Sequence, residues 1–447
     1  MPTSKVKTPT DKTTHKTSRS PPLANDDKGC RRFLRDMFDA AIKVVDPATC
    51  LPPFLPKAPK GRVIVVGAGK GAASMAAVVE QHFPQCTGLV VCPPDHELPC
   101  QTIEILSAPH PVPDSLSERA ARAMLKMVGE AKEDDIVLAL ISGGGSALMS
   151  LPAPGLSMAD KQIVSKSLLV CGATIKEINT VRRHLSAIKG GRLAAAAYPA
   201  RTQTFIISDI PGDDPTWVCS GPTMPNHTTP QDALDVLTKY TIDVPSAVLR
   251  RLEVGHADVV DPDDQRLTKN SCHVIATAQD ALAAAAAYAR DRGVTPVILT
   301  NALQGEASVA GQIIGSIAKQ ALTFGEPQSA PCVILSGGET TVTVRSDSGQ
   351  GGRNTEFLGG LAIELDGKQR IYALACDTDG IDGRSGGAGA IITPDTALRA
   401  RKAGTTLATA LEKNDCGRLF HTLGDAIKTG PTLTNVNDFR AVYIAAP

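Results

Sequence analysis

The sequence sets a lysine inside a glycine turn, Gly67-Ala68-Gly69-Lys70-Gly71-Ala72. A β-branched run at residues 62–66 precedes it and a small-residue helical stretch follows, so the turn joins a strand to a helix. Glycine lets backbone come close to a ligand, and a helix start offers free N–H groups. Lys70 would then face a phosphate or carboxylate; its other reading is a solvated loop lysine. The glycine spacing approximates a dinucleotide fingerprint. The acid expected about 20 positions on is missing, since Glu97 comes late. It is no Walker A loop either, because Gly71 stands where Ser or Thr is required.

Three further stretches could do related chemistry. Ser142, Gly143, Gly144, Gly145 and Ser146 follow an apolar run; successive glycines with flanking hydroxyls can form a nest of N–H groups around an anion. A serine-nucleophile elbow is excluded, because Leu148 replaces its last glycine. Gly349 to Glu356 puts Arg353 and Asn354 at a helix start after a glycine-rich loop. There an anion would meet backbone donors and a guanidinium together. Acids cluster after two strands, at Asp209, Asp213 and Asp214 and at Asp377, Asp379 and Asp382. Such carboxylates can bind magnesium or orient an attacking hydroxyl, although Asp and Gly also serve turns. This inventory suits phosphoryl transfer, which needs positioning and charge stabilisation more than covalent chemistry.

The elements that must position these residues alternate between strand and helix. Short apolar runs at 136–141, 204–207, 333–335 and 371–375 read as buried strands, and 159–170, 280–292, 306–322 and 354–364 read as helices. A strand is also predicted at 340–344. The pattern indicates an α/β fold with a mainly parallel sheet and ligands at the carboxyl ends of the strands. An Asp-rich stretch at 254–270 suggests a domain boundary, giving a basic disordered tail (1–28), a first domain (29–262) and a second (263–447). Ile141-Ser142-Gly143-Gly144 is echoed by Leu335-Ser336-Gly337-Gly338, with Glu339 next, which suggests one such loop per domain.

Composition sets limits. The chain has 447 residues, and 46 basic residues balance 46 acidic ones, which argues against a nucleic-acid or anionic-membrane surface. Eleven scattered cysteines form no CxxC pair and match no zinc framework, consistent with reduced thiols. No apolar stretch approaches the ~20 residues of a membrane span. A cytoplasmic location is expected, with a mitochondrial address through the basic N-terminal extension as the alternative.

From residue 60 onward the chain resembles the glycerate 2-kinase family whose C-terminal half is the MOFRL domain. The resemblance rests on the stretches around Lys70, Ser142 to Leu148, Asn179 to Gly191, Ser208 to Asp214, Leu335 to Thr341, Gly351 to Asn354, Thr378 to Gly383 and Thr429 to Asp438, in one order. It implies transfer of the ATP γ-phosphate to D-glycerate, with ATP and Mg2+ as cofactors. It also implies a Rossmann-like N-terminal domain, a smaller α/β C-terminal domain and a site in the cleft between them.

By the same resemblance, Lys70 and Arg353 are the essential pair, one neutralising phosphate charge and the other clamping substrate. Asp209 and Asp379 would bind metal or orient the 2-hydroxyl. Gly67, Gly69, the 142–146 loop, Gly337, Glu339 and Asn354 would line the nucleotide and substrate. Lys189 either reaches the cleft or merely precedes a glycine helix stop. Two features depart from the family: the basic extension, and residues 414–420, which lack an aromatic-rich form. Two other readings stay open, an NAD(P)H-dependent hydroxypyruvate reductase and an inactive sugar-phosphate-binding module. Small-molecule substrates are the expected partners, and the sequence is compatible with a homo-oligomer.

Overall fold

The computed structural model describes residues 26–254 and 259–447. Its strands form two six-stranded sheets. The first contains β1 (Val63–Ala68), β2 (Thr87–Cys92), β3 (Ile103–Ser107), β4 (Ile136–Ile141), β5 (Arg201–Ile207) and β6 (Asn270–Ala276). Their order is β3-β2-β1-β4-β5-β6, and each pair is parallel. β1 and β4 are buried at every position, which is why their sequences are continuous apolar runs rather than alternating ones. Strand order reverses between β1 and β4, the point at which such sheets hold ligands. Gly67 is required there, because a Cβ would strike the Leu140 carbonyl on β4.

The second sheet contains β7 (Thr295–Thr300), β8 (Cys332–Ser336), β9 (Ile371–Asp377), β10 (Gly389–Ile392), β11 (Ala426–Ile427) and β12 (Asp438–Ile444). Its order is β11-β10-β9-β12-β8-β7. Only β7 and β8 run parallel; the other pairs are antiparallel. The mainly parallel expectation therefore holds for the first sheet and not for the second. The cause is β12, which inserts between β8 and β9 and opposes both. Its first residue, Asp438, then lies beside Asp377, at the carboxyl end of β9.

Three expectations are corrected. The 262/263 boundary does not separate the sheets, because β6 extends the first sheet by pairing in parallel with β5. Residues 340–344 are no strand: β8 is already flanked by β7 and β12, leaving Thr341 a single bridge to Glu306. The expected tail, 1–28, lies outside the described residues up to 25, while Asp27 already opens the helix Asp27–Val45, capped by Asp26.

Apolar layers hold the two sheets together. One face of the first sheet packs with the helices Ser115–Gly129 and Arg192–Ala197. The far face of the second packs on Ala307–Phe324 and Arg353–Leu365. Between the sheets lies one continuous cluster, in which Phe33, Leu34, Met37 and Phe38 of the first helix meet Val65 and Leu138 on one side and Phe439 and Tyr443 on the other. Gly360 lets Arg353–Leu365 touch the Ser308 carbonyl of its neighbour helix, which fixes where Arg353 starts. A separate helical cluster, built on Val164, Leu168, Val181, Leu237 and Leu252, carries Asn179 and Arg182. Three of its helices begin at capping boxes from Ser157, Thr174 and Thr229. No helix among the described residues is long and apolar enough to cross a membrane.

Candidate active site

Loops from the two sheets meet at Lys70. The Lys70 ammonium forms an ion pair with Asp379, which follows β9 and is 309 positions away in sequence. Burial opposes the charge on Lys70, but Asp379, Asp377 and Asp209 outweigh it and raise its pKa. Burial likewise works against ionised Asp379, and the Lys70 charge overrides it, holding that carboxyl below its usual range. Backbone links reinforce the meeting. The Ser74 hydroxyl donates to the Leu433 carbonyl at 2.5 Å, and the Asn437 amide donates to the Asp209 carbonyl.

The glycines of the first turn serve this packing. The N–H groups of Gly69, Lys70, Gly71 and Ala72 donate to Val91 O, Gly143 O, Ser142 Oγ and Gly69 O at 2.9–3.1 Å. The four donors are spent inside the protein. Gly69 has φ +137 and no room for a Cβ beside Ser142. Gly67 and Gly69 thus bring β1 and β4 together and aim Lys70.

Arg353 lies where the acids converge. Its guanidinium pairs with Glu339, with Asp377 at 2.6 Å and with Asp438 at 3.3 Å. Burial alone would lower its pKa, but Asp438, Asp377 and Glu339 raise it. Burial and the neighbouring Asp379 push Asp377 well above the ordinary carboxyl range. Asn354 is fully buried and donates to Asp438 at 2.7 Å. Asp382 accepts the N–H groups of Asn354 and Thr355, so it caps the helix that presents Arg353. Gly337 donates to the Thr300 carbonyl and holds the β8 loop. The divergent 414–420 stretch packs behind the Arg353 loop, where Asp415 accepts the Gln350 N–H and Asn414 accepts that of Arg345.

The 142–146 loop faces Asp209. A Cβ on Gly143 would collide with the Asp209 and Asn435 side chains, so glycine permits this approach. Burial pushes the Asp209 carboxyl up to about 6, with Glu339 adding to the shift and Lys70 opposing it. Ser146 Oγ lies 2.9 Å from Ser220 Oγ, and Ser220 donates to Asn179 at 2.7 Å. Lys189 sits behind the loop, not in the open cleft. Its ammonium is buried and donates to Ser146 O at 2.8 Å, Ser146 Oγ at 3.1 Å and Cys219 O at 3.3 Å. Burial lowers its pKa to about 8.

Comparison with known proteins bears on this arrangement. Residues 33–253 match a family described as "Domain of unknown function (DUF4147)", and residues 332–438 match the MOFRL family. A D-glycerate 2-kinase of Thermotoga maritima is 36% identical over 92% of this chain and 98% of its own length. The crystal structure of a glycerate kinase from the same organism aligns with TM-score 0.84 at 35% identity, covering 94% of this chain and all of that one. The chain belongs to the glycerate 2-kinase family. A relative from Agrobacterium vitis, 47% identical over 94% of this chain and 95% of its own length, carries the name "Putative hydroxypyruvate reductase".

Within this glycerate 2-kinase family site, sequence reasoning missed several residues. His110 lies over Gly144, whose added Cβ would come within 3.1 Å of the ring. Burial, with Lys70 and Arg182 nearby, lowers its pKa to about 4, so the ring is neutral at physiological pH. Asp438 and Arg440 sit at the start of β12; Asp438 completes the Arg353 acid set, and Arg440 pairs with Asp438. Arg182 stands half-buried near His110. Its signal was present in the Arg182-Arg183-His184 run, but a helix-end basic cluster reads equally well as dipole complementation.

Proposed function

We propose that the protein transfers the γ-phosphate of ATP to the 2-hydroxyl of D-glycerate, giving 2-phospho-D-glycerate and ADP. The observation that carries this reading is the Lys70–Asp379 pair, which joins the two strand-end loop sets over Asp209. Family membership supplies the substrate class. Lys70 is the cation that faces developing negative charge on the transferred phosphoryl group, and Asp379 fixes its position. Asp209, half-buried and free of any ion-pair partner among the described residues, orients the 2-hydroxyl and receives its proton. Arg353 is already shared among Glu339, Asp377 and Asp438, so its part is to hold those acids in place.

The acids around Lys70 outnumber the cations, which fits a divalent ion entering with the nucleotide. Among the described residues no three His, Cys, Asp or Glu side chains are gathered into a metal cage. Of these residues Asp379 would hold Mg2+, with the remaining oxygens coming from the nucleotide. When bound, such an ion supplies charge neutralisation between phosphate groups.

The name of the Agrobacterium vitis relative raises the reductase as a second reading. Against it stands the 67–72 turn, whose N–H groups are consumed internally and leave no donors for a dinucleotide pyrophosphate. The deciding assay supplies D-glycerate and MgATP, follows ADP release and offers the product to enolase. Enolase turnover without a mutase is the expected result. No ADP release, with NADPH or NADH oxidation on hydroxypyruvate, overturns the kinase reading.

A further inference from the structure

Buried cations need anions, and one group of cations here has no ion-pair partner among the described residues, Glu118 acting on Lys161 only at a distance. Arg182 is half-buried and has no hydrogen-bond or ion-pair partner among the described residues; burial alone acts on it, lowering its pKa. Its neighbours each have partners for part of their guanidinium. Arg183 donates to the Thr216 carbonyl and stacks over Trp217 with its guanidinium carbon 4.1 Å from the ring centroid. Arg192 donates to the Arg183 and Lys189 carbonyls at 3.2 and 2.8 Å.

The charged groups that sense Arg182 are themselves cationic or neutral. They are Lys189, Lys161 and His110. Lys161 is buried and donates only to the Leu151 carbonyl, at 3.3 Å. Lys189 donates only to carbonyl and hydroxyl oxygens. A half-buried guanidinium with no counter-ion and a buried Lys189 nearby costs the empty protein free energy, and burial together with those two cations drives Lys161 toward its neutral form. A ligand anion would offset that cost.

Position narrows the ligand. Arg182 lies three residues after Asn179 on the same helix, Ile175–His184, so the two share a face. Asn179 holds Ser220, and Ser220 holds Ser146 of the glycine loop. His110, lying over Gly144, is within electrostatic reach of both Lys70 and Arg182. The free guanidinium is therefore at the same end of the cleft as the phosphoryl-facing lysine. In a 2-hydroxy acid the carboxylate is bonded to the carbon that bears the reacting hydroxyl. An anchor for that carboxylate must lie close to the phosphoryl site, and a planar guanidinium grips a carboxylate with two parallel bonds.

We propose that Arg182 binds the carboxylate of the hydroxy-acid substrate, with Lys189 supplying positive potential behind it. This rests on the glycerate reading above and adds to it the residue that selects an acid over a neutral polyol.

The experiment compares wild type with Arg182→Met and Arg182→Lys. For Arg182→Met, KM for D-glycerate should rise about 30-fold or more, while KM for MgATP stays within about two-fold. Preference for D-glycerate over glycerol should collapse in parallel. Melting temperature should hold or rise, because the residue makes no internal hydrogen bond or ion pair among the described residues. Arg182→Lys keeps the charge and lacks the fork, so its glycerate KM should be intermediate; it also carries the test if the Met variant fails to fold. An unchanged glycerate KM, or a rise confined to MgATP, overturns the proposal. Should wild type not turn over D-glycerate, the kinase reading fails separately. Calorimetric titration of D-glycerate into wild type and Arg182→Met then decides: binding lost only in the variant supports the carboxylate site, and equal binding or none in wild type overturns it.

Discussion

At the scale of single residues, the site is a set of charges that are each stabilised by a partner from another loop. Lys70 depends on Asp379 for its charge and its direction. Replacing Lys70 by Met should lower kcat/KM by about 10²–10³-fold with an unchanged circular dichroism spectrum. Asp209 gives the reaction a pH signature. Its carboxyl titrates near 6 in the folded protein, so kcat/KM should fall as pH drops below about 6 and the carboxylate takes a proton. Asp209→Asn should lose that acid limb together with most of the turnover, as read in a pH–rate profile. Lys70, Asp209, Arg353 and Asp379 were legible as candidates because each follows a strand or glycine loop. Their pairings were not. Residues 309 positions apart carry no local sign that they will meet, and nothing in the sequence near Arg353 says that three carboxylates will already occupy it.

At the scale of elements, the helix Arg353–Leu365 does two tasks. It presents Arg353 at its start and buries Glu356 one turn later. Burial raises the Glu356 carboxyl to about 7, and the Cys416 backbone N–H only partly offsets this. Because the folded pKa lies above the ordinary value, the folded form binds a proton that the unfolded chain has already released. Stability should therefore decline as pH rises from about 4.5 to 7, and the penalty is complete above that. Glu356→Gln should be more stable than wild type at pH 8, by on the order of 3 kcal/mol, with the gap vanishing near pH 4.5. Urea unfolding at several pH values checks this. Apolar periodicity exposed most helices and the buried parallel strands. It missed β12 because Asp438-Phe439-Arg440 opens with charges that look like loop. In the fold Asp438 pairs with Arg353 and Arg440, and Asn354 donates to it, so those charges are buried rather than solvated.

At the scale of the whole molecule, the two sheets share one interior, and Phe33 sits at its centre. Its ring lies 5.0 Å from that of Tyr443 on β12 and 6.0 Å from that of Tyr288. Phe33→Ala should cost about 3–5 kcal/mol, and both halves should unfold in a single shifted transition when followed by fluorescence and circular dichroism. The same architecture has a consequence for synthesis. The helix Asp27–Val45 leaves the ribosome long before the strand that seats it, since Phe33 rests on Tyr443 and Phe38 on Phe439. The first sheet and Tyr288 can cover one side of that helix early, but the side toward Phe439 and Tyr443 stays open, and β8 and β9 wait for the strand that will separate them. The second sheet is thus complete only after residues 438–444 emerge, so its apolar surface stays exposed late into synthesis.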